Sequence, residues 1–186
     1  MIFRRFLLDV NESNTFLVAC EQTREALLVD LGSWTPDIPA FLHGNALRLT
    51  TVFITHDHYD HTDGLRAAIE DNDARVYSGK GCVGGLPGTR VGHGDTITVG
   101  SLTGSVVATP GHTPEGVSLV LPGMVFTGDA LFAGSVGGTS SGGNAIRQLE
   151  GIREHVFNLP DHYEVHPGHG PSSTVAIERR FNPFFN

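Results

Sequence analysis

The chain has 186 residues, 24 of them glycine, and a formal charge of −8. That charge excludes a nucleic-acid binder working by phosphate neutralisation, and no apolar run approaches the ~20 residues of a membrane span. Cys20 and Cys82 make no disulfide framework, so both are read as small core residues of a soluble, cytoplasmic protein.

Met1–Leu8 reaches Asp9 too soon to hold a signal-peptide apolar region, and no linker composition divides 1–186, which reads as one domain. Segments 2–8, 14–20 and 26–30 are rich in β-formers and separated by polar turns, so they predict a three-strand meander. Thr35-Pro36 predicts a helix start over 36–43, with Thr35 as N-cap. A β-branched stretch at 49–54 predicts a buried strand. Asp63 is placed to cap a helix over 64–71, where Leu65, Ala68 and Ile69 share a face. A strand follows at 75–78. The glycine-rich segment 79–95 reads as loop with one helical turn. Strands are expected at 96–99, 102–108, 116–121 and 124–128, and 131–144 as a second loop. Ile146, Leu149, Ile152 and Val156 carry a helical period over 145–157. A last strand at 163–165 precedes a short helix over 174–181, ended by Asn182-Pro183.

The stretch Thr55-His56-Asp57-His58-Tyr59-Asp60-His61 stands where a buried strand ends and a helix begins. Imidazole and carboxylate at this density suit zinc, iron or manganese. Three further strands hand a metal-competent residue to the loop at their C-terminal ends: His112 after 105–108, Asp129 after 124–128 and His169 after 163–165. Two of these share the form Pro-Gly-His, at 110–112 and 167–169, where Pro sets φ and Gly allows a sharp turn.

His56, His58, Asp60, His61, His112, Asp129 and His169 make seven ligands, enough for two metals if one carboxylate bridges and a water is shared. Two divalent cations carry +4, and two carboxylates with a hydroxide carry −3. The remaining positive charge suits an oxyanion on an attacked carbonyl. His166 competes with His169 and is assigned to the surroundings of the ligands or the surface. Asp57 is expected to orient a neighbouring histidine. Tyr59 either lines the pocket or packs. His43, His93, His155 and His162 read as surface or satisfied histidines.

These motifs resemble the metallo-β-lactamase superfamily, in particular its glyoxalase II-like branch. The resemblance rests on His56-x-His58-x-Asp60-His61, Thr109-Pro110-Gly111-His112-Thr113, Phe126-Thr127-Gly128-Asp129-Ala130-Leu131-Phe132 and Pro167-Gly168-His169-Gly170-Pro171. The tail Glu178-Arg179-Arg180-Phe181-Asn182-Pro183-Phe184 looks like the ending of short, single-domain members. The resemblance implies an α/β fold, an αββα sandwich of two mixed sheets flanked by helices. It implies one metal on His56, His58 and His112, a second on Asp60, His61 and His169, and Asp129 bridging. Zinc is the expected metal, with iron or manganese as alternatives.

Two departures matter. The chain is too short for the extra helical domain of glyoxalase II, and Gly138 stands where the family tends to place Arg. Glycine cannot grip a glutathione carboxylate. The leading expectation is a dinuclear hydrolase acting on a small thioester or ester, with Asp60 orienting the hydroxide and Asp129 shared by the metals. The alternatives are a mononuclear-iron persulfide dioxygenase using His56, His112 and Asp129, a lactonase or β-lactamase on the same centre, and a metal-holding interaction module. Oligomeric state is not readable.

Overall fold

The computed structural model describes residues 1–186. In chain order the elements are β1 (Ile2–Leu7), β2 (Asn14–Ala19), β3 (Glu25–Val29), α1 (Asp37–Gly44), β4 (Arg48–Ile54), α2 (Tyr59–Thr62), α3 (Leu65–Asp71) and β5 (Arg75–Ser78). Then come β6 (Cys82–Val83), β7 (Leu86–Pro87), β8 (Thr89–Arg90), β9 (Thr96–Val99), β10 (Leu102–Ala108), β11 (Val117–Leu121) and β12 (Met124–Gly128). The chain closes with β13 (Leu131–Phe132), β14 (Ser135–Val136), α4 (Gly142–Gly151), β15 (Glu164–Pro167), β16 (Ser173–Thr174) and α5 (Val175–Phe181). A π-helical turn, Ile152–Val156, extends α4.

Two six-stranded mixed sheets result, ordered β1-β2-β3-β4-β5-β8 and β16-β15-β12-β11-β10-β9. Strand alternation sorts the apolar residues into three layers. Phe16, Val18, Leu27, Val29 and Phe53 meet Val106, Leu119, Leu121 and Phe126 between the sheets. Leu17, Leu28, Val52 and Ile54 point outward, onto Ile38 and Leu42 of α1 and Leu65 and Ala68 of α3. Val125 and Val165 do the same against Ile152, Val156 and Val175. The central strands are therefore apolar on both faces, which explains their unbroken β-branched runs. The architecture is the αββα sandwich of two mixed sheets.

Several local expectations need correction. Segment 79–95 holds no helical turn: β6 and β7 form a hairpin and β8 joins the first sheet. Cys82, read as core, lies exposed on that hairpin, while Cys20 is buried. The second loop is shorter than expected, because β13 pairs with β14 and α4 begins at Gly142. There the Ser141 hydroxyl accepts the Asn144 N–H and overrides the poor helix propensity of two glycines. Thr35 and Asp63 cap nothing with their side chains; α1 starts after Pro36 and α3 after Gly64. The last strand continues through Pro167, so His166 lies within it. No helix is long and apolar enough to cross a membrane.

Candidate metal centre

The four predicted strand ends lie at one edge of the sandwich. β12 and β15 are parallel neighbours, which puts Asp129 and His169 side by side. Across the sheets, the Val117 N–H bonds the Thr55 carbonyl at 3.0 Å, and the Asn14 N–H bonds the Gly168 carbonyl at 2.7 Å. The first ties the end of β4, and the second the start of β2, to the second sheet. After β4 the backbone bends at Thr55-His56, is extended at His58, then turns helically through α2, with the His61 N–H on the His58 carbonyl at 3.0 Å. The segment before α2 and the helical turn itself therefore present their side chains to two adjoining points.

The first point gathers His56, His58 and His112, whose ligand atoms lie within 4.8 Å of one another. His58 Nδ1 stands 3.1 Å from both His56 Nε2 and His112 Nε2. The outer nitrogens decide the tautomers. The Thr55 hydroxyl donates to Asp30 Oδ2 at 2.8 Å, so it must accept from His56 Nδ1 at 3.0 Å. His112 Nδ1 donates to the Gly138 carbonyl at 2.7 Å. His56 and His112 thus aim lone pairs at a common point. Tetrahedral zinc with imidazole ligands places its nitrogens roughly 3.3 Å apart, so the spacing fits.

The second point gathers Asp60, His61 and His169. His61 Nδ1 donates to Asp30 Oδ2 at 3.0 Å, leaving Nε2 buried without a hydrogen-bond partner. His169 Nδ1 donates to the Asn11 carbonyl at 3.1 Å, and its Nε2 faces Asp60 Oδ2 at 3.4 Å. Asp129 stands between the two groups. Its Oδ1 is 3.4 Å from His61 Nε2, and its Oδ2 is 3.6 Å from both His112 and His169 and 3.9 Å from His56. Asp129 Oδ1 is also buried without a hydrogen bond. Two orphaned buried atoms facing each other are costly unless a cation or proton lies between them, so this donor set fits divalent metals.

The electrostatics agree. Burial, followed by the charges of His61, His112 and His58, pushes His56 far below its usual value, so its imidazole is neutral. Burial and His112 lower His58 in the same sense. Burial alone would lower His61, but Asp30, Asp129 and Asp60 outweigh it and lift the metal-free group to about 9. Burial would raise Asp60; the Asn11 amide, His61 and His169 reverse this and keep it ionised. Asp129 is raised by burial against the pull of the three histidines around it.

The two Pro-Gly-His turns use glycine differently. Gly111 has a φ of +148°, which side chains rarely adopt. Gly168 has ordinary backbone, but a Cβ there would collide with Asp129 Oδ1 and the His61 ring.

Other expectations change. His166 is 2 % exposed and neither assists the ligands nor reaches the surface; its ring packs against Phe3, Phe16 and Phe126, with Nδ1 on the Ser172 hydroxyl at 2.8 Å. Asp57 orients no histidine. It holds the glycine-rich segment instead, through Lys80 Nζ at 2.7 Å and the Gly84 N–H at 2.8 Å. His93 and His155 stack on each other with ring centroids 4.2 Å apart. Asp30 was not singled out from sequence, although a carboxylate ending a strand beside β4 is a usable signal. Its two oxygens accept from the Thr55 N–H, the Thr55 hydroxyl and His61. Asn11 gave no sequence signal.

Comparison with known proteins agrees with this edge. Residues 8–81, which include the His56–His61 cluster, match the family model of the metallo-beta-lactamase superfamily. Mouse mitochondrial persulfide dioxygenase ETHE1 is 34% identical over 91% of this chain and 70% of its own length. A hydroxyacylglutathione hydrolase of Idiomarina loihiensis is 35% identical over 61% of this chain, which matches 44% of that protein. The solved structure of TTHA1623 in a di-iron-bound form superposes with a TM-score of 0.81, at 27% identity, over 97% of this chain and 99% of that one. With the sandwich, the converging strand ends and these relatives in agreement, the chain belongs to the metallo-beta-lactamase superfamily.

Proposed function

We propose that the protein is a dinuclear metallohydrolase that cleaves a thioester or related ester. The observation that carries this is the place of Asp129, whose two carboxylate oxygens face both ligand groups at once. His56, His58 and His112 would hold one cation, Asp60, His61 and His169 the other, and Asp129 both. The di-iron form of a similar chain supports that count. When bound, two divalent cations would supply a hydroxide near neutral pH and polarise an acyl oxygen. Zinc is the proposed metal, with iron or manganese as alternatives.

The chain's own residues do the rest. Asp60, ionised and braced by Asn11, accepts a hydrogen from an entering water and orients it toward the acyl carbon. Overall, water adds to that carbon, the C–S or C–O bond breaks, and the thiol or alcohol leaves with a proton. A cleft of about 270 Å³ adjoins His112, lined by Val136, Gly138, Ala145, Leu149 and Phe184 among others. No charged side chain lines it, and a Cβ on Gly138 would touch nothing. This supports a substrate whose distal part is uncharged rather than glutathione-like.

The test pairs metal analysis with turnover in Asp129→Ala. Loss of both together is expected; two full equivalents of metal in an inactive variant would sink the reading. A second reading is a persulfide dioxygenase with one iron on His56, His112 and Asp129, favoured by the 34% identity to the mouse enzyme. One equivalent of iron and oxygen uptake with a persulfide would establish it; two equivalents of zinc and thioester turnover would exclude it.

A further inference from the structure

The turn between β1 and β2 reaches the second ligand group with one residue, Asn11. Its side-chain amide donates to Asp60 Oδ2 at 3.1 Å and to Tyr59 Oη at 2.6 Å. Its carbonyl accepts from His169 Nδ1 at 3.1 Å. Asn11 therefore touches a ligand delivered by α2 and a ligand delivered by the end of β15. The oxygen it grips is the one that faces His169 Nε2 at 3.4 Å. A carboxylate oxygen has room for one N–H and one cation, so the amide leaves the coordinating direction open.

The backbone is held in an unusual state to do this. Asn11 has φ +50° and Glu12 has φ +53°, both left-handed and neither glycine. A turn with no other task would use glycine here. Asparagine tolerates that region better than most residues, and it alone adds an amide aimed at Asp60. None of its hydrogen bonds reaches His56, His58 or His112.

We infer that Asn11 is a positioning residue for one half of the centre, holding Asp60 and His169 in register so that they act as a pair. The inference rests on the dinuclear reading above and makes the two metal equivalents unequal in their dependence on this turn.

The test is a zinc titration of the metal-free protein against a chromophoric chelator, in wild type, Asn11→Gly and Asn11→Asp. Glycine keeps the left-handed turn and the carbonyl on His169, and removes only the amide. Aspartate keeps the shape but turns an acceptor toward Asp60. In both variants one equivalent should keep its affinity within about twofold, and the other should weaken by roughly 10- to 100-fold. Cobalt-substituted protein should lose the absorption of one ion and retain that of the other. Two unchanged equivalents in the variants, or two that weaken alike, would overturn the assignment and leave the dinuclear reading standing. A wild type that takes up a single equivalent would overturn the dinuclear reading, and this inference with it.

Discussion

The two ligand groups share Asp129 but are built in opposite ways. His56, His58 and His112 are three imidazole rings, propped by a hydroxyl and by the carbonyl of Gly138 in a glycine-rich loop. Asp60, His61 and His169 mix charge with imidazole and lean on two side chains set by the first sheet, the buried Asp30 and the exposed Asn11. Each group joins a buried ring, His56 or His61, to a partly exposed one, His112 or His169. The lesson is that two adjoining ligand groups can be braced differently, one by a hydroxyl and a backbone carbonyl, the other mainly by side chains. The His112 side also borders the uncharged cleft, through Gly138.

Breaking the shared member should have the largest effect. Asp129→Ala should lower turnover by about 10³-fold or more, with less than two equivalents of metal by elemental analysis. If only one side lost its ion, the two groups would be more independent than their geometry states.

Asp30→Ala strikes His61 directly and His56 through the Thr55 hydroxyl. It leaves His61 and the Thr55 N–H without their buried partner, which should cost about 3–5 kcal/mol in the metal-free protein. Urea unfolding measures this. A loss below about 1 kcal/mol would mean that Asp30 is not the brace described.

His166 sharpens the contrast, because it stands on β15 near His169 yet joins neither group. Burial, then Arg5, lowers its pKa to about 4. Glu164 lies 3.2 Å from Nε2 but makes no well-aligned bond, so burial prevails. The unfolded chain takes up this proton near pH 6.5 and the folded chain only near 4, so stability falls as pH drops through that window. The loss should reach roughly 3 kcal/mol, read as the difference between wild type and His166→Phe in metal-free protein. Equal acid sensitivity of the two would show that this ring does not carry the effect.

The smallest change probes the side that borders the cleft. Gly138→Arg should leave both metal equivalents intact and lower KM for a glutathione thioester about fivefold, near 1 kcal/mol for an exposed charge-assisted contact. No change in KM would place the thiol end of the substrate elsewhere.

Much of this could be read from the chain before any fold was seen. The ligand types and their positions just after apolar strands are local properties, and strand ends in such sheets collect at an edge. The layer order also follows from runs that are apolar on both faces. What the chain alone left open were choices among long-range partners. His166 and His169 sit in the same short motif, and only the packing of Phe3, Phe16 and Phe126 sends one inward. Asp57 lies between two candidate ligands, yet its carboxylate turns to Lys80 and Gly84. Asp30 and Asn11 come from segments distant in sequence; its place at a strand end hints at Asp30, but nothing local marks Asn11 as a brace for Asp60. Residue chemistry and spacing are written along the chain, but which groups support which is settled only when separate segments are packed together.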